Sequence, residues 1–282
     1  MLSAIRNHDL HKVLAGQELK SNRPFSCPIC KDEVILRQGP IKIAHFAHKP
    51  PVLCKYGSGE SESHMRAKIE IYENLIKNRH VTKCEMERYL ETVRPDISCY
   101  IKGIPVAIEI QISKLSLEEI IYRTIEYGRK GIYVLWLPLF TDKLRAERYS
   151  PALWEKWLHT TYYGKVYFWQ SDLNITPVHF ATHQIWVEHS TWFESGGRER
   201  SEGGYWKPSK RFKTPSLGTT VNLVKNFEKL ERKSTITPDY TVPECKLFFE
   251  RQSDWWVEKS ATVSKDSVDN EVLRILKAKH YL

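Results

Sequence analysis

Hydrophobic and polar residues alternate most cleanly between Val93 and Gln111. Val106, Ile108, Ile110 and Ile112 fall on one side of an extended chain, and Ala107, Glu109, Gln111 and Ser113 on the other. Lys102-Gly103 interrupts the pattern, and a glycine there supplies the positive φ that a two-residue hairpin turn requires. A turn at those residues pairs positions whose numbers sum to 205 and places Asp96 opposite Glu109. Directly opposed residues have Cβ atoms roughly 4.5–5.5 Å apart.

A helical period follows the linker-like Gly57-Ser-Gly-Glu. From about Ser61 to Lys77, Met65, Ile69, Tyr72 and Ile76 form one apolar stripe. Val81 to Leu90 is placed as the first strand of a sheet, with Glu85 and Glu87 as solvated strand charges. Ser116-Leu-Glu-Glu119 reads as a capping box opening a second helix, whose Leu117, Ile120, Ile121, Thr124 and Ile125 share a face. Arg123 and Tyr127 lie one above the other beside that face. Ile132 to Leu137 predicts a buried strand ending at Pro138. The order strand, strand, strand, helix, strand predicts an α/β fold with a mixed sheet, its last crossover parallel and right-handed. Ala152–Leu158 reads as a short helix, Gly164–Gln170 and Ile175–Phe180 as strands, and Val268–Lys277 as a terminal helix.

Chemistry enters at three places. Two carboxylates facing each other across a hairpin repel unless a proton or cation lies between them. Asp96 and Glu109 are thus candidate ligands for Mg²⁺ or Mn²⁺, with the Gln111 amide next door. Second, Cys27, Cys30, His45 and His48 have the spacing of two knuckle pairs around a hairpin, which suits a structural Zn²⁺. The two histidines point the same way if they lie on a helical turn, and Cys54 is an alternative to one of them. Third, Tyr205, Trp206 and Phe212 interleave with Lys207, Lys210, Arg211 and Lys213, a combination that can follow phosphates and stack on bases or can equally be a solvated linker.

Composition narrows these readings. The 282 residues are 41% hydrophobic and 27% charged, enough for one large or two modest domains. The net charge of +9 favours a polyanionic partner. Six cysteines at this length, two of them in a Cys-x-x-Cys, predict metal binding in a reducing, cytoplasmic compartment rather than a disulfide framework. No apolar run approaches the ~18 residues of a membrane span, and polar residues from Arg6 to Lys12 interrupt any secretory core. Residues 191–233 hold ten Lys and Arg against five Asp and Glu, following the flexible-looking Ser195–Gly204.

Pro95-Asp96 followed by Glu109-Ile110-Gln111 resembles the signature of the PD-(D/E)xK nuclease superfamily. More narrowly, the order Cys27-Pro-Ile-Cys30, His45-Phe-Ala-His48, Glu62-Ser-His64 with Lys68, the hairpin, and the Arg123/Tyr127 helix resembles the competence protein CoiA family, which carries an E-x-Q variant. The resemblance runs from Cys27 to about Phe180. It implies a restriction-endonuclease-like sheet over residues 57–190, a zinc-finger-like module over 1–56, and a basic linker with a C-terminal extension over 191–282. It also implies a metal-dependent nuclease acting on single- or double-stranded DNA, in uptake and recombination or in phage defence. Glu62 would join the metal site, or merely favour a helix N-terminus. Lys68 would supply the charge that Gln111 lacks. His64 would be a phosphate contact or a plain surface histidine, and Arg123 and Tyr127 would meet phosphate and base or simply pack. The alternatives are a non-catalytic DNA-binding protein on a nuclease fold, or a zinc-dependent module that docks a protein partner through the C-terminal region.

Overall fold

The computed structural model describes residues 1–54, 60–111 and 115–250. Ile112, Ser113 and the expected helix at Val268–Lys277 lie outside the described residues.

The N-terminal strands β1 (Ser3–Arg6), β2 (Lys12–Leu14), β3 (Phe25–Ser26), β4 (Glu33–Arg37) and β5 (His45–His48) form an antiparallel sheet in the order β2-β1-β3-β4-β5. Along β4, Val34 and Leu36 turn inward while Glu33 and Ile35 stay exposed, so strand alternation gives this small sheet one apolar face. Phe25, Val34, Leu36 and Phe46 fill a core separate from the main one, with Cys27 at its edge. His45 to His48, read as a helical turn, is a strand.

The main sheet is built from β6 (Val81–Met86), β7 (Ile97–Ile101), β8 (Ile104–Gln111) and β9 (Tyr133–Pro138), with α1 (Glu62–Ile76) before β6 and α2 (Leu117–Arg129) between β8 and β9. Ser61 Oγ accepts the His64 N–H at 3.2 Å, and Ser116 Oγ accepts the Glu119 N–H at 3.2 Å, so each helix starts at a hydroxyl cap. Ile97 pairs with Ile108 and Ile101 with Ile104, which is the expected hairpin register. Lys102 and Gly103 both have positive φ, 51° and 81°, as a type I′ turn demands. β8 and β9 run parallel, joined through α2.

The polar face of β8 is not open. Ala107, Glu109 and Gln111 are as buried as Val106, Ile108 and Ile110. α1 packs on β6 and β8, and α2 packs on β9 and on a strand from the chain's far end. The apolar stripe of α1 is also rotated from the expected one: Met65, Ala67, Ile71 and Leu75 are buried, whereas Ile76 is 49% exposed. Each large aliphatic fully buried this way contributes about 1.5–3 kcal/mol.

The later elements are α3 (Leu153–Thr161), β10 (Val166–Ser171), β11 (Asn174–Val187), β12 (Ser190–Phe193), β13 (Glu199–Glu202), β14 (Tyr205–Leu217), β15 (Val221–Asn222), β16 (Glu228–Arg232), β17 (Thr235–Ile236), β18 (Thr241–Val242) and β19 (Cys245–Phe249). The main sheet has the order β16-β19-β9-β8-β7-β6, with β19 parallel to β9. β10, β11 and β14 make a second sheet, β12 pairs with β13, and β17 with β18. The segment read as a flexible linker therefore carries strands, and β16 and β19 belong to the same sheet as Glu109. Among the described residues no helix is long and apolar enough to cross a membrane.

Candidate metal centres and acidic pocket

The described residues bring two donor clusters together. The first lies at the tip of the N-terminal sheet. Between β3 and β4 the chain turns sharply: Lys31 N–H donates to Cys27 O at 3.1 Å, and Cys27 N–H donates to Asp32 O at 2.8 Å. The turn aims both sulfurs inward, and Ile29 N–H points at Cys27 Sγ, 3.5 Å away. His48 and Cys54 complete the group, whose four donor atoms lie within 4.8 Å of one another. Cys30 Sγ and His48 Nε2 are 3.3 Å apart. Three thiols and an imidazole at this spacing are a donor set that fits Zn²⁺. Burial, with Cys27 and Cys54 as neighbours, pushes the Cys30 thiol up to about 12.

His45 is not in the group. It lies three residues from His48 on a strand, where such residues point to opposite faces, and its Nδ1 is bonded to Ile43 O at 2.8 Å. Cys54, the alternative donor, takes its place.

The second cluster lies where the start of α1, the end of the β6–β7 connection and the end of β8 converge. It surrounds a pocket of about 210 Å³ lined by Glu60, His64, Arg94, Asp96, Glu109, Gln111 and Arg123. A water occupies about 30 Å³ of liquid, so the pocket has room for a phosphate group with several waters. Asp96 is fixed on both oxygens. Oδ2 accepts the Ile110 N–H at 2.9 Å and lies 3.0 Å from His64 Nε2; Oδ1 is 3.2 Å from Lys68 Nζ. Burial alone would raise its pKa, but Lys68, His64 and Arg123 outweigh that and hold the carboxyl well below the usual range.

Glu109 has the opposite balance. Burial raises it, the Arg123 charge opposes, and the nearby Asp96 charge raises it further, to about 7. Arg123 and Tyr127 both donate short hydrogen bonds to its Oε1. That selects packing over base contact for Tyr127 of the α2 pair. Tyr127 is fully buried, and Arg123 spends its guanidinium on Glu109 and on Arg94 O at 3.0 Å, although it still lines the pocket.

Three further assignments change. Glu62 points to solvent and pairs with Arg66 one turn along, at 2.5 Å. The acid that reaches the site from this end of α1 is Glu60, just before the helix. Lys68 is fully buried and does not line the pocket. It is ion-paired with Glu87 at 2.6 Å, Glu60 at 2.8 Å and Asp96 at 3.2 Å, so it acts on a phosphate only through Asp96. Glu87, read as a solvated strand charge, is 1% exposed. It accepts the Leu2 and Ser3 N–H groups at 3.0 and 3.1 Å and the Ser3 hydroxyl at 2.9 Å, tying β1 to the network. Nothing local marks Glu60, Glu87 or Arg94. The usable sign is that an acid just past a strand and a lysine on an apolar helix stripe can be buried only as partners.

Glu60, His64 and Asp96 offer three atoms within 4.8 Å, a set able to hold a divalent cation, and Glu109 is not among the three. Glu60 Oε2 is buried and accepts no hydrogen bond, with the Met1 nitrogen 3.2 Å away. Two carboxylates with an imidazole fit Mn²⁺ well and Mg²⁺ less well.

Residues 60–195 match the family model described as competence protein CoiA, nuclease-like domain, and residues 9–57 the one described as competence protein CoiA, N-terminal domain. Over 125 residues the chain is 32% identical to competence protein CoiA of Bacillus subtilis (strain 168), a match covering 43% of this chain and 33% of that relative. The aligned part thus spans about a third of the relative's length. No solved structure matches the chain.

Proposed function

The chain belongs to the competence protein CoiA-like family, and from that premise we propose that it is a metal-dependent nuclease hydrolysing phosphodiester bonds in DNA. The observation that carries this reading is the pocket itself: Asp96, Glu109 and Gln111 of the hairpin meet Glu60 and His64 in one polar space. Mn²⁺ or Mg²⁺ held by Asp96 with Glu60 and His64 would supply a Lewis acid for the scissile phosphate and lower the pKa of an attacking water. Asp96 is ionised and oriented by Lys68 and by the Ile110 N–H. Gln111 lies on the same face as Glu109, where its amide can orient a water. Arg123 borders the pocket, and a phosphate oxygen would meet it there alongside Glu109. Zn²⁺ at Cys27, Cys30, His48 and Cys54 would be structural, because four protein donors leave no open position.

A non-catalytic DNA-binding role is the second reading, and a specific observation favours it. Glu109 is clamped by Arg123 and Tyr127, and the lysine that stands in for the missing one is sealed behind Asp96. Purified full-length protein with Mn²⁺ or Mg²⁺ should nick single- or double-stranded DNA, and Asp96→Asn and Glu109→Gln should each lower the rate at least about a hundredfold, the scale on which one preorganised electrostatic contact registers. Retained cleavage in both variants would place the activity elsewhere. Salt-sensitive DNA binding without cleavage in any divalent metal would select the second reading.

A further inference from the structure

The second sheet ends in a two-stranded ribbon. β11 and β14 pair from Val178↔Leu217 outward to Gln184↔Pro208, Ile185↔Lys207, Trp186↔Trp206 and Val187↔Tyr205. Beyond them β12 and β13 continue as a hairpin, with Trp192 opposite Arg200. The two pieces join at Gly203-Gly204. A Cβ on Gly203 would lie 2.0 Å from Glu188 O, and its φ is +102°, so only glycine fits that bend.

This ribbon carries a concentration of exposed rings. Trp206 is 64% exposed, Phe193 70%, and Trp186, Trp192 and Tyr205 44% each. Trp186 and Trp206 are directly opposed, their centroids 5.5 Å apart at 61°. This cross-strand aromatic pair lies at the surface. Lys207 follows Trp206 on β14 and pairs with Ile185, so it starts on the ribbon's other face and reaches phosphates over the open edge of β14. Residues 205–213 hold Lys207, Lys210, Arg211 and Lys213 and no carboxylate. Arg148 reaches in from the α3 side and lies 4.6 Å from the Phe212 ring centroid.

We propose that this ribbon is a binding arm for single-stranded nucleic acid, its Trp186–Trp206 pair stacking on unpaired bases while Lys207, Lys210 and Arg211 follow the phosphates. Charge selects the occupant along β14, where four neighbouring cations without a carboxylate among them call for a polyanion; the outer β12–β13 hairpin, with Glu194, Glu199 and Glu202, is not part of the arm. The rings select single strands, because stacking needs a base whose face is free. Tyr127 is buried, so base stacking does not come from the α2 pair. The arm rests on reading the protein as a nucleic-acid handler, and it does not require the pocket to cut.

The test uses the full chain carrying Asp96→Asn, so that no probe is consumed, with a labelled oligothymidylate of about 20 nucleotides, long enough for a stacking groove, and a duplex of equal length. Trp186→Ala/Trp206→Ala should weaken oligothymidylate binding at least about tenfold, the loss expected for removing one or two stacked bases, while duplex affinity changes less than about twofold. Trp206→Phe, which keeps a ring, should retain most of the affinity. Lys207→Gln/Lys210→Gln should flatten the salt dependence of binding. Because the two rings pack mainly on each other at the ribbon's surface, the melting temperature of the double variant should fall by no more than a few degrees. Unchanged single-strand binding in the double variant, or an equal loss for duplex and single strand, overturns the arm. If the wild-type chain never cuts while the double variant still loses single strands, the nuclease reading falls and the arm stands.

Discussion

The cysteine cluster takes all its donors from one stretch of 28 residues, Cys27 to Cys54, organised by the β4–β5 hairpin. The acidic pocket takes its groups from five places: the lead into α1, α1 itself, the chain before β7, β8 and α2. The first is a set of sulfurs and one ring with no counter-charge built in. The second is crowded with its own cations: Lys68 pairs with Asp96, which a metal would use, and Arg123 with the neighbouring Glu109. Beyond the small core of Phe25, Val34, Leu36 and Phe46, the thiols of the local cluster have an ion as their partner, whereas the dispersed one is held by the fold and tuned by its neighbours. The pocket is therefore organised by the protein around it, and the knuckle by what it binds.

The sharpest way to break this contrast is to remove one zinc donor. The metal-binding free energy of such a module is folding free energy, about 10 kcal/mol or more in zinc-finger peptides. Cys54→Ser should abolish stoichiometric zinc by elemental analysis and release the N-terminal sheet, seen as early proteolysis within residues 1–54. His45→Ala should keep zinc and change stability by less than about 0.5 kcal/mol, as a substitution away from the ligands would. If the His45 variant loses the metal and the Cys54 variant keeps it, the donor set is the one read from spacing and not the one seen in the fold.

The link between the two regions comes next in size. Glu87 accepts from β1 of the N-terminal sheet and pairs with Lys68 of the pocket's supporting network. Burial would raise its pKa, but Lys68 and Arg94 dominate and hold it well below the ordinary carboxylate value, so it is charged. Removing one partner of a buried, hydrogen-bonded charge pair costs about 3–5 kcal/mol. Glu87→Gln keeps the shape and removes the charge; it should lower the unfolding free energy by about 3 kcal/mol at neutral pH, measured by urea denaturation, while zinc content stays at one per chain. A loss within the error of the extrapolation would mean that the two regions are merely adjacent.

How much of this was legible in the sequence follows the same division. The hairpin register was readable because turn chemistry and alternation agreed at Lys102-Gly103, and the knuckle cysteines because their spacing is itself the motif. His45 misled, since i and i+3 share a face on a helix but not on a strand. Glu62 and the α1 stripe misled because helical periodicity was anchored on Tyr72 and Ile76, whereas the fold places Lys68 inward to meet three carboxylates. No single-residue pattern announces a buried ion network whose members lie at 60, 68, 87 and 96. Tyr127 looked like a surface ring because its partner, Glu109, was expected to face an open site.

The smallest expected effect separates the regions by the sign of their response to pH. Glu109 has an ordinary value of 4.5 and is pushed up to about 7 by burial, against the opposing Arg123 charge and with the Asp96 charge adding to the rise. Between those values the folded chain holds a proton that the unfolded chain has released. Its contribution to stability is therefore fully present below about 4.5 and is lost as pH rises through about 7. Each tenfold change in proton affinity is worth about 1.4 kcal/mol, which makes the whole contribution on the order of 3 kcal/mol at most. Asp96, held low, contributes in the opposite sense, but only in strong acid. The knuckle also has the opposite sign within the working range, because its thiols must shed protons to bind Zn²⁺ and the bound state is favoured as pH rises. Urea midpoints from pH 5.5 to 8, without added Mg²⁺ or Mn²⁺, should fall with pH more steeply in the wild type than in Glu109→Gln. Equal slopes would mean that Glu109 is ionised throughout, that Arg123 outweighs burial, and that the pocket is already charged for a cation at pH 6.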